Sequence, residues 1–187
     1  MSVAAASARE AALARRSWPK VTDAAPGDAE LVSLLDAASR VADHASLAPW
    51  RVIAIRGDAR ARVGRAIADA AGAEGDAAEK LAAKPLRAPL LLALVAVVRE
   101  HPKVPAWEQE AVAAGVGHQL SLLLDDAGWG VMWRTGPYTR HPLVAAAHGL
   151  ADDERLLGWL YVGGRPEGAR PERRTGSPAA GRFSSLG

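Results

Sequence analysis

The chain has 187 residues, and 23 lysines and arginines nearly balance 21 aspartates and glutamates, which leaves a formal net charge of +2. It contains no cysteine, so disulfides, thiolate metal sites and a thiol nucleophile are excluded. The length fits one domain. Because the basic residues are not concentrated on one helix or one face, the sequence argues against a nucleic-acid-binding protein.

The sequence offers no segment suited to a membrane. The longest apolar run, APLLLALVAVV at residues 88–98, is much shorter than the ~20 residues that a spanning helix needs. The first residues contain Arg9 and Glu10 within their apolar part, so they make a poor signal peptide. These features lead us to expect a soluble, cytoplasmic protein.

The first half of the chain predicts three helices and a strand. Residues 3–15 are rich in alanine and predict a helix, which prolines and a glycine then interrupt before a second helix over 28–41. A loop separates this helix from the run RVIAIR at 51–56, which predicts a strand. A third helix is expected over 58–71.

The second half begins with an Ala/Gly/Asp-rich stretch, 72–84, that predicts a mobile segment. The run at 88–98 predicts a central strand buried on both faces. The longest helix follows, with Pro105 in its first turn and Gly128 as its C-cap, and its apolar second half should be deeply buried. The remaining elements are a strand, a short helix and a last strand, at 129–134, 142–149 and 156–164.

This order of elements predicts an α+β fold in which helices flank a small, mostly antiparallel central sheet. Residues 1–166 form the expected domain. Residues 167–187 are rich in proline, glycine, serine and arginine, and they are expected to form a C-terminal tail that lies on the surface or across a partner.

The motifs that usually identify side-chain catalysis or metal binding do not occur. No histidine pair has the His-Glu-x-x-His spacing of a zinc site, and no serine lies in a Gly-x-Ser-x-Gly elbow. A Walker-type phosphate loop is also absent, and the glycines of GWLYVGGRPEG lack the strand-turn-helix context of a dinucleotide fingerprint. We therefore expect no metal and assign no catalytic side chain.

Two short clusters combine arginine with a small hydroxyl at an expected element boundary. They are RRS at 15–17 and WRT at 133–135. Guanidinium groups form charge-assisted, bidentate bonds to phosphate, and hydroxyls complete such a site. A solvated helix end is the alternative for either cluster alone, whereas two similar clusters far apart in sequence favour one shared, phosphorylated ligand.

Several stretches together resemble the FMN-dependent nitroreductase family, and more closely its small YdjA-type branch. In chain order they are ARRSWPK, DHASLAPWRVIAI, KVPAWEQE, GVMWRTG and GWLYVG. The resemblance covers residues 9–166, and KVPAWEQE followed by WRTG is its most specific part. It implies an α+β homodimer with two FMN molecules at the subunit interface.

The resemblance also implies which residues contact FMN. Within one subunit these are Arg15, Arg16, Ser17, Lys20, Trp133, Arg134 and Thr135. The two arginines of the first cluster would lie near the phosphate, and Arg40 and His44 would reach FMN from the partner chain. Lys20 takes the place of a basic residue that many relatives carry one position earlier, where this chain has Pro19. A nicotinamide-contacting segment of the small branch maps to Leu123–Gly128.

The function implied is an oxidoreductase that passes hydride from NADH or NADPH through FMN to an electron-poor acceptor such as a nitroaromatic or a quinone. The cofactor carries this chemistry, so no side-chain acid or base is required. Alternatives are a flavin-modifying or reductive-dehalogenating enzyme of the same fold, and a flavin-binding protein without turnover. An interaction module that uses the arginine-rich tail is a third alternative.

Overall fold

A computed structural model describes residues 7–168 and 179–186 of the chain. The helices of these residues are α1 (Ala8–Ala14), α2 (Asp28–Ala38), α3 (Asp58–Ala70), α4 (Gly75–Ala82), α5 (Ala106–Asp126) and α6 (Pro142–Ala147). The strands are β1 (Trp50–Ile55), β2 (Leu90–Val97), β3 (Trp129–Arg134) and β4 (Glu154–Gly164). Short 3-10 turns lie at His44–Ser46, Lys84–Arg87, Pro137–Arg140 and Ala179–Arg182.

The strands form an antiparallel sheet in the order β1-β2-β4-β3. Since β2 pairs with a strand on each side and is covered on both faces, Leu90 on one face and Leu91 on the other are both 0% exposed. This burial confirms the central strand that the apolar run predicted. β3 lies at the edge of the sheet, where the backbone N–H of Trp18 donates to the Val131 carbonyl at 3.0 Å.

Helices cover both faces of the sheet, as the α+β prediction required. On one face α2 and α5 pack against the sheet, and Leu120 of α5 lies in the same core cluster as Leu94 and Leu160. On the other face α3 and α6 place Ile67 and Val144 in a second cluster. The long helix α5 was expected to be deeply buried, and its inward face does contain fully covered leucines.

The expectation of a mobile segment at residues 72–84 is wrong, because α4 occupies most of it. Alanine, glutamate, lysine and leucine all have high helix propensity, which the small-residue composition concealed. α4 packs across α3 so closely that a Cβ on Gly64 would lie 2.1 Å from the Ala82 carbonyl oxygen. Tertiary packing of this kind, rather than propensity alone, stabilises most short helices.

Element boundaries differ from the predictions by a few residues. α1 begins at Ala8 after a capping box formed by Ser7 and Glu10, and residues 3–6 lie outside the described part of the chain. α2 ends at Ala38, where the Ser39 hydroxyl donates to the Asp36 carbonyl. Most of the predicted tail also lies outside the described residues, so the division into a domain and a tail stays a prediction.

Candidate functional site

The end of strand β3 carries Trp133 and Arg134, and Thr135 is the first residue beyond it. The segment that follows α1 lies along the outer edge of the same strand, because Trp18 is hydrogen-bonded to Val131. The sheet therefore brings the RRS and WRT clusters to neighbouring stretches of backbone, although they are far apart in sequence.

A cavity of about 520 Å³ opens where β3 leaves the sheet. Its lining includes Trp133, Arg134 and Thr135 at the end of β3, and Lys84 and Arg87 of the turn after α4. Aromatic side chains form much of the remaining lining, namely those of Tyr138, Trp159 and Tyr161. No aspartate or glutamate of the described residues lines this cavity, so its charge is positive. The volume lies in the range of small-molecule sites.

Arg134 is half-buried and has unused hydrogen-bonding capacity. Its guanidinium carbon lies 5.2 Å from the centre of the Tyr161 ring, a cation–π distance. Its Nε atom is buried without a hydrogen-bond partner among the described residues, and the indole Nε1 of Trp133 is in the same condition. Buried donors without partners are rare in folded proteins. Arg134 lines the positive cavity, and its unused buried donor fits a ligand that is anionic and accepts hydrogen bonds.

Tyr161 lies beneath Arg134 and is only 6% exposed. Burial raises the pKa of its phenol, and the nearby charges of Arg134 and Arg87 oppose this rise. Because the net shift is upward, the hydroxyl stays protonated around neutral pH. Tyr161 therefore adds an uncharged wall to the cavity and does not cancel the arginine charges.

Two glycines that the sequence analysis did not single out leave the space that the Trp133 side chain occupies. A Cβ on Gly117 of α5 would lie 2.9 Å from the far edge of the indole ring. A Cβ on Gly158 of β4 would lie 2.7 Å from the Trp133 Nε1 atom and 2.6 Å from the Arg134 carbonyl oxygen. The His118 ring also contacts the indole, with ring centres 4.7 Å apart. A glycine inside a helix or strand commonly marks such a close approach, and this was the available signal.

Gly158 belongs to a bulge in β4 at the level of the cavity. Leu94 pairs with Gly158 but the next residue, Val95, pairs with Leu156, so Leu157 has no partner on β2. The φ angle of Gly158 is +138°, which residues with a side chain rarely adopt. Bulges of this kind often re-aim side chains next to functional sites.

None of the three residues of the first arginine cluster lines this cavity. Arg16 donates through Nη1 to the carbonyls of Leu13, Ala14 and Arg15 at 2.8, 2.9 and 2.9 Å, which closes the end of α1. Its Nε is buried without a partner among the described residues. Arg16 lines a separate recess of about 310 Å³ that also contains Asp125, so one chain does not bring Arg16 and Arg134 into one cavity.

The other residues implied by the resemblance are accessible to solvent. Arg15 is half-buried, whereas Ser17, Lys20, Arg40 and His44 are exposed. None of these five residues lines the large cavity. Their assignment to FMN stays a prediction.

His44 lies in a loop with unusual backbone geometry. Its Nδ1 atom is 3.0 Å from the Glu108 carboxylate of α5. Ala45, Ser46 and Ala48 have φ angles of +63°, +51° and +45°, a region that costs residues with a side chain roughly 1–2 kcal/mol each. Strained backbone of this kind is often found at functional sites.

Trp159 in the cavity wall is fixed by a buried histidine. Its Nε1 donates to His148 Nε2 at 2.9 Å, and His148 Nδ1 lies 2.7 Å from the Val144 carbonyl. Since an indole N–H can only donate, Nε2 must accept and Nδ1 must carry the proton. Burial and the charge of Arg51 lower the pKa of His148, although the Val144 carbonyl opposes the shift.

This arrangement predicts a loss of stability in mild acid. The unfolded histidine has a pKa of about 6.5 and the folded one a lower value, so the unfolded state binds the extra proton first. The contribution of His148 should be complete above pH ~6.5 and decline as pH falls towards the folded pKa. Urea unfolding of the wild type and of His148→Gln across this range measures it. Equal pH slopes in the two proteins would contradict the assignment.

Among residues 7–168 and 179–186, no cluster of three or more histidine or carboxylate side chains has the arrangement of a metal site. The helices in this part of the chain are all too short or too polar to cross a membrane.

Comparison with known proteins identifies the family. The sequence pattern that defines the Nitroreductase family matches residues 12–164. The chain belongs to the nitroreductase family. A protein of Escherichia coli strain K12, named as an NAD(P)H nitroreductase and called YdjA, is 35% identical over 159 residues, which cover 83% of this chain and 87% of the relative. The chain is thus an oxidoreductase of this family, as the resemblance implied.

Solved structures show the same fold. A nitroreductase-like family protein from Bacillus cereus matches with a TM-score of 0.85 and 20% identity over 100% of this chain and 99% of that one. NfnB from Sphigopyxis sp. strain HMH, described as an FMN and NADPH-dependent nitroreductase, matches with a TM-score of 0.70 and 21% identity. That match covers 97% of this chain and 100% of NfnB. The nitroreductase-like α+β fold is therefore confirmed.

Proposed function

We propose that this nitroreductase-family protein is an FMN-dependent enzyme that transfers hydride from NADH or NADPH to an electron-poor acceptor such as a nitroaromatic or a quinone. The observation that carries the proposal is the buried, partnerless Nε of Arg134, whose guanidinium lines a positive cavity. The names of the relatives, which include NAD(P)H and FMN, support the choice of cofactors for this chain.

The donor set fits FMN, which is anionic through its phosphate and rich in hydrogen-bond acceptors. When bound, FMN supplies the two-electron redox chemistry. Arg134 would hold a negatively charged or acceptor group of the cofactor, and Trp133 and Thr135 would orient it. The wall of Trp159 and Tyr161 would exclude water from the site, and the phenol of Tyr161 would keep its proton.

We further propose a homodimer in which each FMN contacts both chains. Arg15, Arg16, Ser17 and Lys20 would act from the chain that supplies Arg134, and Arg40 and His44 from the other. Arg40 and His44 are exposed, so a second chain can reach both side chains. The strained His44 loop would become part of the interface.

Purification followed by visible spectroscopy and size measurement tests the proposal. We expect a yellow dimer with one FMN per chain, which NADH or NADPH bleaches without oxygen and a nitroaromatic or quinone turns yellow again. A yellow protein that never bleaches would instead be a flavin-binding protein without turnover. A colourless monomer that takes up no added FMN would exclude the proposed function.

A further inference from the structure

The three cations of the large cavity occupy different depths. Arg134 is half-buried, whereas Lys84 and Arg87, which line the same cavity, are exposed. None of the three forms an ion pair with an acidic residue of the described chain. Lys84 and Arg87 therefore form a positively charged rim, which we call the cationic rim, at the entrance of the cavity.

The fold holds the cationic rim in a fixed position. The turn Lys84–Arg87 follows α4 directly, and α4 is locked against α3 by the backbone contact between Gly64 and Ala82. On the other side of the turn, Arg60 donates to the Ala88 carbonyl at 2.5 Å. Because both ends of the turn are anchored, the backbone that carries the two charges is already in place, which lowers the entropy cost of binding a ligand.

The surface between the rim and Arg134 is largely apolar. Met132 and Leu81 contribute to it together with the aromatic side chains described above. Such a lining suits a flat aromatic body, and the rim suits an acidic group carried by that body. A charged pair at an exposed rim also attracts anionic ligands from solution, since clefts of one sign focus the electrostatic field.

We infer that Lys84 and Arg87 bind the acidic group of the electron acceptor, so that the enzyme prefers aromatic acceptors carrying a carboxylate over their neutral counterparts. This inference rests on the proposed function. The rim is accessible to solvent and can therefore serve a substrate that enters and leaves, whereas the partnerless Nε of Arg134 is buried and suits a resident cofactor.

A comparison of 4-nitrobenzoate with neutral 4-nitrobenzamide tests the inference. The dissociation constant of each compound is measured by fluorescence on the full-length protein as purified, which requires no turnover. Two variants carry the same change of charge. Lys84→Gln/Arg87→Gln removes the rim, and Arg62→Gln/Arg65→Gln removes two arginines of α3 that lie outside the cavity lining.

We expect the dissociation constant of 4-nitrobenzoate to be at least about tenfold lower than that of 4-nitrobenzamide in the wild type and in the α3 variant. In the rim variant the two constants should become equal, while the dissociation constant of FMN stays unchanged. Equal affinity of the wild type for both compounds overturns the inference, as does an unchanged preference in the rim variant. A large rise in the FMN constant assigns the rim to the cofactor and also overturns it. If the rim variant binds NADPH more weakly but binds both nitro compounds as the wild type does, the rim belongs to the electron donor. That result also overturns the inference.

The proposed function and the inference about the cationic rim can fail independently of each other. A protein that shows the preference but never oxidises NADH or NADPH would contradict catalysis and leave the acid-binding rim intact. A rim variant that does not fold is replaced by Arg87→Gln alone, for which a reduced preference supports the inference and an unchanged one overturns it.

Discussion

Replacement of Arg134 by alanine is expected to raise the FMN dissociation constant at least about 100-fold, so that the variant loses its yellow colour during purification. Charge-assisted hydrogen bonds contribute roughly 1.5–3 kcal/mol each, and a 100-fold change equals about 2.7 kcal/mol. The guanidinium has no ion-pair partner among the described residues, and its Nε is a buried donor without an acceptor. A ligand is therefore the expected recipient of its hydrogen bonds.

The same structure predicts that this variant remains stable when FMN is absent. Alanine removes a buried donor that has no partner, and the main loss is the cation–π contact with Tyr161, worth roughly 0.5–2 kcal/mol. Thermal unfolding of the FMN-free protein and fluorescence titration with FMN measure the two quantities.

Arg140→Ala is the matched control for Arg134. Arg140 lies in the next turn of the chain and is paired at 3.0 Å with Glu110, so it should not be required for FMN. Full retention of FMN by Arg134→Ala, or equal loss of FMN in the control, would contradict the assigned site.

Gly158→Ala is expected to lower the free energy of unfolding by about 2–3 kcal/mol and to weaken FMN binding. Two effects combine, because the φ of +138° is unfavourable for alanine and the new Cβ would lie 2.6 Å from the Arg134 carbonyl oxygen. This oxygen belongs to backbone and cannot rotate away. The end of β3 must shift, and it carries the side chains proposed to hold FMN.

Gly72→Ala separates backbone strain from this contact. Gly72 has a φ of +59°, but the Cβ of an alanine there would have no atom within 4 Å, so the substitution should cost only the roughly 1 kcal/mol of a left-handed residue. Urea unfolding and FMN titration of both variants provide the comparison. If Gly158→Ala retains FMN as tightly as Gly72→Ala, then Gly158 does not position the site.

Local sequence patterns predicted much of the secondary structure. The run at 88–98 identified the central strand because eleven consecutive residues without a charge or a strong polar group require burial on every side, and β2 is indeed covered on both faces. The α4 helix was missed because the alanines, glycines and aspartates around it concealed its strong helix formers and because it packs closely on α3, where Gly64 approaches Ala82. A contact between distant segments leaves no periodic signal in either one.

The candidate site was predictable only in part. Trp133, Arg134 and Thr135 were identified from their chemistry and from the family resemblance, and the structure places them together in one cavity. Lys84 and Arg87 were overlooked because the sequence of their turn, KPLR, does not indicate that it lines a cavity together with the end of β3. The roles of Lys20, Arg40 and His44 stay predictions, since they depend on a second chain.

The order of most helices and strands, the α+β class and the family could all be read from the chain, because they follow from local hydrophobic spacing and short motifs. Two placements required the folded structure: the turn after α4 faces the end of β3, and a bulge at Gly158 supports Trp133 and Arg134. Such placements depend on how closely two backbones approach in space, and the pattern along either segment does not encode that distance.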